Sequence, residues 1–455
     1  MAIRTWRNFK KLDNRSQCYL DTDVAYEERL ARLAKLRHYS RYYTGDIYRH
    51  PAEWAAQSGY SAGIKPPAMS VNYARCLIDR LASFSFDRAI GVSLVPGGEA
   101  VSESAPDSAS RFLAGFLRSS RILARLTSIA REALLFGDVL LRLHHTPSSH
   151  FPLGFCLVPA EEYDYEHDPL DIAEVRFIRE EYFYRGVNGA MLAHREDFHR
   201  DTTVVYRDQP AEQLSLRQAA LALLKPVAAP REFAVAHELP NPFGILAAVQ
   251  VRNRPQTGQK FGTSELADLT PLLDDINWKL AQRSRNISRT MNAIIKNING
   301  RIVTGEYDDT QIISVMGDSP QLDYLVNDSD LAPVTAHIAD LKQALAELTG
   351  VVMLSPEKLT SVGAMSGFAL SILYEPLLNA ARTKRREIGG CVDDFLKLVL
   401  KAGAALGQIS AEEAEAAQPT ITYAPDMQFT EQEKLTRLRR EMLAAQNNLT
   451  LNPDN

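Results

Sequence analysis

Apolar residues recur at helical spacing in the second half of the chain. Over residues 334–348 they follow steps of four and three, and Gly350 closes the pattern, which predicts a compact amphipathic helix. A helix with one apolar face needs a partner that covers this face. The apolar positions of this stripe are Val334, Ile338, Leu341, Leu345 and Leu348.

A second apolar stripe, over residues 263–290, predicts a longer helix. Thr263 or Ser264 is the expected N-cap, and Glu265 falls in the first turn, where the helix dipole favours an acid. Pro271 lies inside the stripe, so the helix either kinks there or restarts at the preceding residue with a second cap. The opposite face is polar.

Residues 366–406 predict a third and still longer helix, with Ser366 as its N-cap. Pro376 lies inside this helix, where it removes one hydrogen bond and clashes with the preceding turn. We therefore expect a kink near residues 369–373. The glycine pair at 389–390 is a further weak point.

The first half of the chain mixes helices with a region rich in strands. Between residues 139 and 235, short runs of Val, Ile, Phe and Tyr alternate with turn residues, apart from a helix-prone insert at 211–224. A strand–helix–strand rhythm is missing here, so the sheet should be antiparallel or mixed. The predicted helices are 26–36, 71–84, 108–117 and 122–135, the predicted outlying strands are 91–98, 139–144 and 245–251, and 42–54 is a predicted loop.

Two further regions complete the pattern. Residues 291–330 break into short β-prone pieces separated by glycines, which predicts a small α/β or β module inserted between two helices. Residues 409–455 are helix-prone and charged, with a proline-bearing break at 421–426. The predicted fold class is therefore α+β.

Composition narrows the class of protein. A chain of 455 residues predicts two to four structural units, and 45% hydrophobic with 24% charged residues is normal for a soluble globular protein. The apolar runs are too short for a membrane span, and the N-terminus has no apolar signal region. The four cysteines are widely scattered, which predicts reduced, mostly buried thiols. A net charge of −5 argues against tight, sequence-specific binding of nucleic acid.

Motifs for catalysis, cofactors and metals are absent from the sequence. It has neither a phosphate-binding P-loop nor an HExxH motif, and the GAMSG segment at 363–367 does not match the serine hydrolase pattern. The acidic pairs at 161–162 and 274–275 are better explained as a solvated loop and a polar helix face. The basic run at 382–386 is the best candidate for nucleic-acid contact by charge, although a solvated face or an intersubunit salt-bridge band fits it equally well.

The arrangement of the striped helices is more informative than any motif. Helices at 263–290 and 333–349 flank a compact module, and packed antiparallel they would form a stalk with the module at its far end. Two helices cannot bury all of their apolar surface against each other, which favours lateral packing with neighbouring copies. A closed ring satisfies both edges of every copy.

At this point the sequence resembles the portal proteins of tailed bacteriophages, the head-to-tail connector rings. The resemblance covers roughly residues 40–440 in order. The most telling pieces are the FGTSELADLTPLLDDIN passage at 261–277 and the SGFAL start of the long helix at 366–370. Other matching pieces are VNYARCLIDRLASF, IAREALLFGDVLLRLH, CLVPAEEYDYEHD and LTGVVML.

The resemblance implies a portal-like subunit of several parts. These are an α/β wing at 1–255 with the long kinked helix at 366–405, stem helices at 256–290 and 331–350, a small α/β clip at 291–330, a channel loop at 351–365 and a short helical C-terminal crown at 406–455. It also implies a ring, typically dodecameric, at one capsid vertex of the virion, assembled in the host cytoplasm. Double-stranded DNA would pass through it without sequence specificity during packaging and ejection.

The same resemblance implies partners but no enzyme activity, cofactor, metal or membrane. The partners are the large subunit of the terminase, a head–tail adaptor protein, and the major capsid and scaffolding proteins. The candidate residues of the channel loop are Ser355, Lys358, Thr360, Ser361 and Met365. Candidate basic residues facing the channel are Lys279, Arg283, Arg382 and Lys384, and candidate partner-binding residues of the clip are Lys296, Arg301, Tyr307 and Tyr324.

Two other functions remain open from the residues alone. One is a helical head–tail or scaffold-type interaction protein that uses the helix pair without a DNA channel. The other is an enzyme with an unrecognised site in the β-rich region 139–235. Ring formation by the purified protein distinguishes the portal from both.

Overall fold

The structure is a computed structural model of the chain. It describes residues 19–59, 65–96, 108–147, 151–168, 174–210, 233–291, 294–302, 315–319, 321–325, 332–351 and 367–424. The predicted helix-prone insert at 211–224 and the expected cap at Ser366 lie outside these residues. Helices and antiparallel sheets are both present, so the predicted α+β class is confirmed.

The helices follow one another in chain order, with two short 3-10 turns at Tyr19–Asp21 and Ile47–Arg49. They are α1 (Asp23–Thr44), α2 (Pro51–Ser58), α3 (Tyr73–Phe86), α4 (Ser108–Ser120), α5 (Ile122–Phe136), α6 (Thr270–Met291), α7 (Ala332–Thr349), α8 (Gly367–Lys384), α9 (Gly390–Ala405) and α10 (Ala411–Ala416). A π-helical turn, Arg385–Gly389, joins α8 to α9.

The strands are short and pair antiparallel. They are β1 (Ala89–Pro96), β2 (Asp138–His145), β3 (Leu153–Val158), β4 (Tyr163–His167), β5 (Val175–Arg185), β6 (Met191–His199), β7 (Thr202–Tyr206), β8 (Gln209–Pro210), β9 (Val235–Pro240), β10 (Ala248–Arg252), β11 (Ile294–Ile298), β12 (Arg301–Ile302), β13 (Val315–Met316), β14 (Gln321–Leu325) and β15 (Ala417–Tyr423).

The chain divides into two compact units. Unit 1 holds the described residues within 1–44, 74–268 and 349–455, and unit 2 holds those within 45–73 and 269–348. Unit 2 is therefore made of two insertions into unit 1. The longer insertion contains α6, the short strands and α7.

The described part of unit 1 contains two larger antiparallel sheets, the two-stranded pair of β1 with β15, and the helices that pack on them. Its described strands form one sheet in the order β10-β2-β3 and a second in the order β4-β5-β6-β7-β9, with β8 beside β6. Helix α5 packs on β2, and α9 packs on β10, β15 and α4. Phe116, Leu134, Leu141 and Phe395 are fully buried. Removing such side chains from water stabilises the fold by about 1.5–3 kcal/mol each.

Local sequence explains where several of these helices end. Helix α5 ends at Phe136 because Gly137 adopts φ = 95°, a left-handed conformation that favours glycine, and its N–H donates to the carbonyl of Ala133. The predicted helices in this half are confirmed with ends shifted by a few residues. The predicted loop at 42–54 is wrong, because α1 runs to Thr44 and Pro51 begins α2. Proline suits the first turn of a helix, and the fully buried Trp54 fixes α2 in place.

The C-terminal region differs from the predicted run of helix. Residues Ala417–Tyr423 form β15, which pairs antiparallel with β1, and Ala417, Pro419 and Ile421 are buried in alternation. The alternation of small or apolar with polar residues matches the period of a strand and not that of a helix. This part of the predicted crown is therefore a strand of unit 1.

The long helix contains Pro376 without a break in its assigned helical run, Gly367–Lys384. Its regular pattern changes at the π-helical turn, which ends at the predicted weak point, Gly389. A Cβ atom on Gly389 would lie 2.7 Å from the hydroxyl oxygen of Tyr423. The Tyr423 hydroxyl on β15 therefore lies close to this glycine, and a side chain here would have to displace it.

Unit 2 contains the two apolar-striped helices. Helix α6 begins at Thr270 with Pro271 in its first turn, so the restart alternative was right. The Ser264 hydroxyl accepts from the Leu266 N–H at 3.0 Å, so it caps the turn at 265–269 that precedes α6 and not α6 itself. Asp274, predicted on a solvated face, is fully buried and accepts hydrogen bonds from the Tyr48 hydroxyl at 2.7 Å and the Trp54 indole at 3.0 Å.

The stripe of α7 is buried at Ile338 and Leu345, whereas its last member, Leu348, is 67% exposed. His337 Nε2 lies 3.9 Å from Asp275 Oδ2. This contact joins the N-terminal parts of α6 and α7, whereas an antiparallel hairpin with aligned ends would bring Asp275 to the C-terminal part of α7. The sequence predicted an antiparallel pair without a register, and this contact shows which turns of the two helices meet.

Candidate functional site

The residues predicted for the channel loop, Ser355, Lys358, Thr360, Ser361 and Met365, lie outside the described residues. Tyr307 of the predicted clip does as well. The described residues include both ends of this loop, at Val351 and at Gly367, and four short strands of the clip. The described part of the candidate site therefore consists of the segments that border the predicted loop and stem, at 253–265, 349–351 and 376–387.

The clip strands bring two of the predicted partner-binding residues close in register. Strand β11 pairs with β14 so that Lys296 lies opposite Asp323 and Ile295 opposite Tyr324. Arg301 is exposed and pairs in register with Met316 between β12 and β13. Lys296 and Tyr324 are therefore one residue out of register in the same strand pair and do not lie directly opposite each other.

Three of the predicted channel-facing cations remain accessible in the single chain. Lys279 and Arg283 are half-buried on α6. Arg382 on α8 is 51% exposed, and it donates to Asn379 Oδ1 at 3.1 Å and lies 3.5 Å from Glu375 Oε1. Pairs that are this exposed contribute little to stability, because water screens them.

Lys384 differs from its prediction as a channel-facing cation, because its side chain is 8% exposed. Its Nζ lies 2.7 Å from Glu265 Oε1, 2.8 Å from Asn253 Oδ1 and 3.3 Å from Glu387 Oε2. We call these four residues the Lys384 cluster. A buried ammonium needs such partners, since it loses its hydration. Lys384 therefore has a structural role, in which it links α8 to Asn253 and Glu265.

The Lys384 cluster holds the segment through which the chain leaves unit 1. The Asn253 amide donates to the Thr263 carbonyl at 2.7 Å and to Glu265 Oε1 at 3.0 Å, and the Arg254 N–H donates to Glu387 Oε2 at 3.3 Å. Residues 253–265 are thus closed into a loop by their own hydrogen bonds and fixed to the π-helical turn.

The same loop is pressed against the end of α5. The Asn253 N–H donates to the Gly137 carbonyl at 2.8 Å, and the Ser264 hydroxyl donates to the Leu135 carbonyl at 2.5 Å. A Cβ atom on Gly262 would lie 2.0 Å from the Gly137 oxygen and 2.6 Å from the Asn253 oxygen. The FGTSE sequence at 261–265 therefore needs its glycine for backbone contact and its serine and glutamate for the two ties.

The chain returns to unit 1 at a second anchor, Thr349–Val351. Gly350 ends α7 with φ = 67°, and a Cβ atom there would lie 2.9 Å from the Pro376 carbonyl oxygen. Val351 is buried, with 1% of its surface exposed, and its N–H donates to Thr349 Oγ1 at 3.2 Å. The root of the predicted channel loop therefore packs on α8 beside Pro376.

Helix α8 and its π-helical turn thus hold both ends of the longer insertion within unit 1. These contacts are hydrogen bonds, ion pairs and close backbone approaches, and all of them lie within unit 1. Neither a group of three or more His, Cys, Asp or Glu side chains suited to a metal ion nor a helix suited to span a membrane is found among the described residues. Cys76, Cys156 and Cys391 are free thiols and half-buried, so they are less buried than predicted.

Sequence reasoning missed Asn253, Glu265 and Glu387 as partners of Lys384. The FGTSEL passage was noted in the sequence, but its glycine, serine and glutamate were interpreted as the start of a helix. Their contacts reach α5 and α8, which lie far away along the chain, and no local pattern reports such pairing.

The chain therefore has a unit 1 of mixed helix and sheet with a longer insertion that contains α6 and α7. A family model described as phage portal protein, SPP1 Gp6-like, matches residues 23–439 of the chain. The chain therefore belongs to this family, and the resemblance predicted from the sequence is confirmed. A comparison with curated proteins finds no match. Membership in this family implies a structural role at the capsid vertex of a phage, in an oligomeric ring that associates with capsid and DNA.

Proposed function

We propose that this chain is the subunit of a dodecameric ring whose channel passes double-stranded DNA during packaging and ejection. The family match over residues 23–439 carries this proposal. The anchoring of both ends of the inserted stem on one long helix supports it, because a channel wall under load needs its stem and loop fixed to a rigid element. The wing is 1–255 with 366–405, and the stem is 256–290 with 331–350.

In this proposal the loop 351–365 lines the narrowest part of the channel through Ser355, Lys358, Thr360, Ser361 and Met365. Lys279, Arg283 and Arg382 supply further sparse cations, and the buried Lys384 is left out. A net charge of −5 keeps phosphates from binding tightly. Contacts to phosphates carry no sequence information, so DNA of any sequence can slide.

The clip, 291–330, is the proposed docking site for the terminase large subunit and later for the head–tail adaptor, through Lys296, Arg301, Tyr307 and Tyr324. The major capsid and scaffolding proteins would contact the wing during assembly in the host cytoplasm. The crown is the part of 406–455 that follows β15, since β15 itself pairs with β1 in unit 1.

The test is the assembly state of the purified full-length protein. We expect native mass spectrometry to give a mass of twelve copies and negative-stain images to give rings with a central hole. A ring of another number corrects the subunit count only. A compact monomer or dimer at every concentration overturns the channel and favours an interaction protein without one.

A further inference from the structure

A cavity of about 60 Å³ lies between the start of α1 and one face of the larger sheet of unit 1. Its lining includes Asp21, Tyr26, Arg29, Arg179, Arg195 and Phe233. Arg179 on β5 and Arg195 on β6 are buried, with 4% and 6% of their surface exposed. Two buried guanidinium groups on neighbouring strands need anions close by, because burial removes their hydration.

One anion is a permanent part of the sheet. Asp197 is 2% exposed, and its two carboxylate oxygens accept from Nε and Nη2 of Arg179 at 2.8 Å each. Such a two-point contact is the strong form of an arginine–carboxylate pair. The Tyr206 hydroxyl also donates to Asp197, at 2.9 Å. Asp197 is thus fully engaged with Arg179, and it lies 3.7 Å from Arg195.

The second anion comes from outside the sheet. Asp21 Oδ1 accepts from Arg179 Nη1 and from Arg195 Nη2, at 2.8 Å each. Its side chain is 52% exposed, and it belongs to the short 3-10 turn Tyr19–Asp21 that precedes α1. The two guanidinium groups hold the pKa of Asp21 below its usual value against the opposing effect of burial. A single oxygen therefore bridges both arginines from the surface.

Among the described residues, Arg179 and Arg195 face two carboxylates, Asp197 and Asp21, so removing Asp21 takes away one of the two described anions. The neighbouring pairs Arg29–Glu181 and Lys260–Asp164 are already neutral within themselves. The Arg195 Nε–H is buried and has no acceptor within the part of the chain that the structure describes. A buried donor of this kind is rare in folded proteins, and an oxyanion in the cavity would offer it an acceptor.

We propose that Arg179 and Arg195 form an oxyanion-binding site on the sheet of unit 1, which Asp21 of the same chain fills as a tethered ligand. The site takes a carboxylate or an inorganic oxyanion of similar size. Asp21 covers the site on its solvent side. Through its hydrogen bonds to Arg179 and Arg195 it also links the start of α1 to β5 and β6. Because Asp21 is half exposed while Asp197 is buried, Asp21 is the exchangeable partner.

The experiment compares the full-length protein with its Asp21→Ala variant and uses inorganic phosphate as the probe. Thermal unfolding is followed in chloride and in phosphate at equal ionic strength. We expect the variant to have a lower Tm in chloride and to recover part of the loss as phosphate saturates the vacated site. The unaltered protein, whose site is filled, should respond much less.

The matched control is Asp268→Ala, which removes another exposed carboxylate paired with an arginine, at 3.1 Å from Arg254. A phosphate response in Asp21→Ala no larger than in this control overturns the proposal. Adding Arg195→Gln to Asp21→Ala should abolish the response, and its persistence also overturns it. If Asp21→Ala does not fold, Asp21→Ser, which is polar and smaller than aspartate, vacates the carboxylate position and must show the same dependence on phosphate and on Arg195.

Discussion

Lys384 is the residue on which most of the ties around the stem exit depend. Its Nζ contacts Glu265 at 2.7 Å, Asn253 at 2.8 Å and Glu387 at 3.3 Å in a largely buried place. In Lys384→Met, both carboxylates lose their cation, which destabilises unit 1 by about 3 kcal/mol. Chemical denaturation of the purified variant measures this loss as a lower midpoint.

The matched control is Lys401→Met, which removes an exposed lysine of α9 that lies 3.3 Å from Glu415. Its pair is screened by water, so we expect a loss below about 1 kcal/mol. Equal losses in the two variants would contradict the structural role of Lys384.

Gly262 is fixed by backbone contacts and not by its own torsion angle. A Cβ atom would lie 2.0 Å from the Gly137 oxygen, and neither backbone segment can withdraw without breaking the ties around it. Gly262→Ala should therefore cost about 3 kcal/mol. Gly390→Ala is the control, because its Cβ atom would meet nothing within 4 Å and its φ of −58° is helical. Alanine there should be neutral or stabilising by about 0.5–1 kcal/mol. The Tm of both variants, compared with that of the unaltered protein, tests this prediction. A Gly262→Ala protein with an unchanged Tm would refute the close backbone contact.

At the scale of elements, strand β15 is held to α9 by one carboxylate. Asp393 Oδ1 accepts from the Ile421 N–H at 2.8 Å. Burial raises the pKa of Asp393 from 3.8 to about 6, helped by the neighbouring Asp394 and opposed by the hydrogen bond. The folded chain therefore keeps the proton at pH values where the unfolded chain has released it.

The free energy of unfolding therefore depends on pH. The proton on Asp393 favours the folded state, so its contribution is fully present below pH 3.8 and is lost as the pH rises through about 6. Asp393→Asn stays neutral throughout, so the variant should gain stability relative to the unaltered protein between these values. Denaturation midpoints measured from pH 4 to pH 7 test this, and Glu412→Gln, which removes an exposed carboxylate of α10, is the control. A constant difference across that range would show that Asp393 has an ordinary pKa.

Elements with a local pattern were predictable, and elements defined by distant pairing were not. The stripes of α5, α6 and α7 gave these helices because 3.6-residue periodicity needs no knowledge of the rest of the chain. Strand β15 follows an alanine- and glutamate-rich run, and only its partner β1, more than three hundred residues earlier, makes it a strand. Buried Asp274 was misjudged for the same reason, since its donors Tyr48 and Trp54 come from a distant segment.

At the scale of the whole molecule, the two segments of unit 1 that border the longer insertion both contact α8 or the π-helical turn that follows it. The exit is held by the Lys384 cluster, and the return is held by Gly350 and Val351 beside Pro376. The sequence predicted a stem and a loop from their order, but it could not show which residues anchor them. The packing of α8 against residues 253–265 and 349–351 determines which residues make these contacts. From the sequence alone, Lys384 was therefore indistinguishable from the other cations of the basic run.

This arrangement separates the loop from the framework that carries it. Deleting residues 355–362 leaves Thr349–Val351, Pro376 and the Lys384 cluster untouched, so ring assembly should persist in negative-stain images. DNA packaging or retention, measured as nuclease-protected DNA in assembled heads, should change, because the deletion removes Lys358 and the segment proposed to narrow the channel. Lys384→Met serves as the opposite control, since it disturbs the framework and leaves the loop sequence intact. If rings fail to form after the deletion, the loop is part of the framework and the proposed channel contact is wrong.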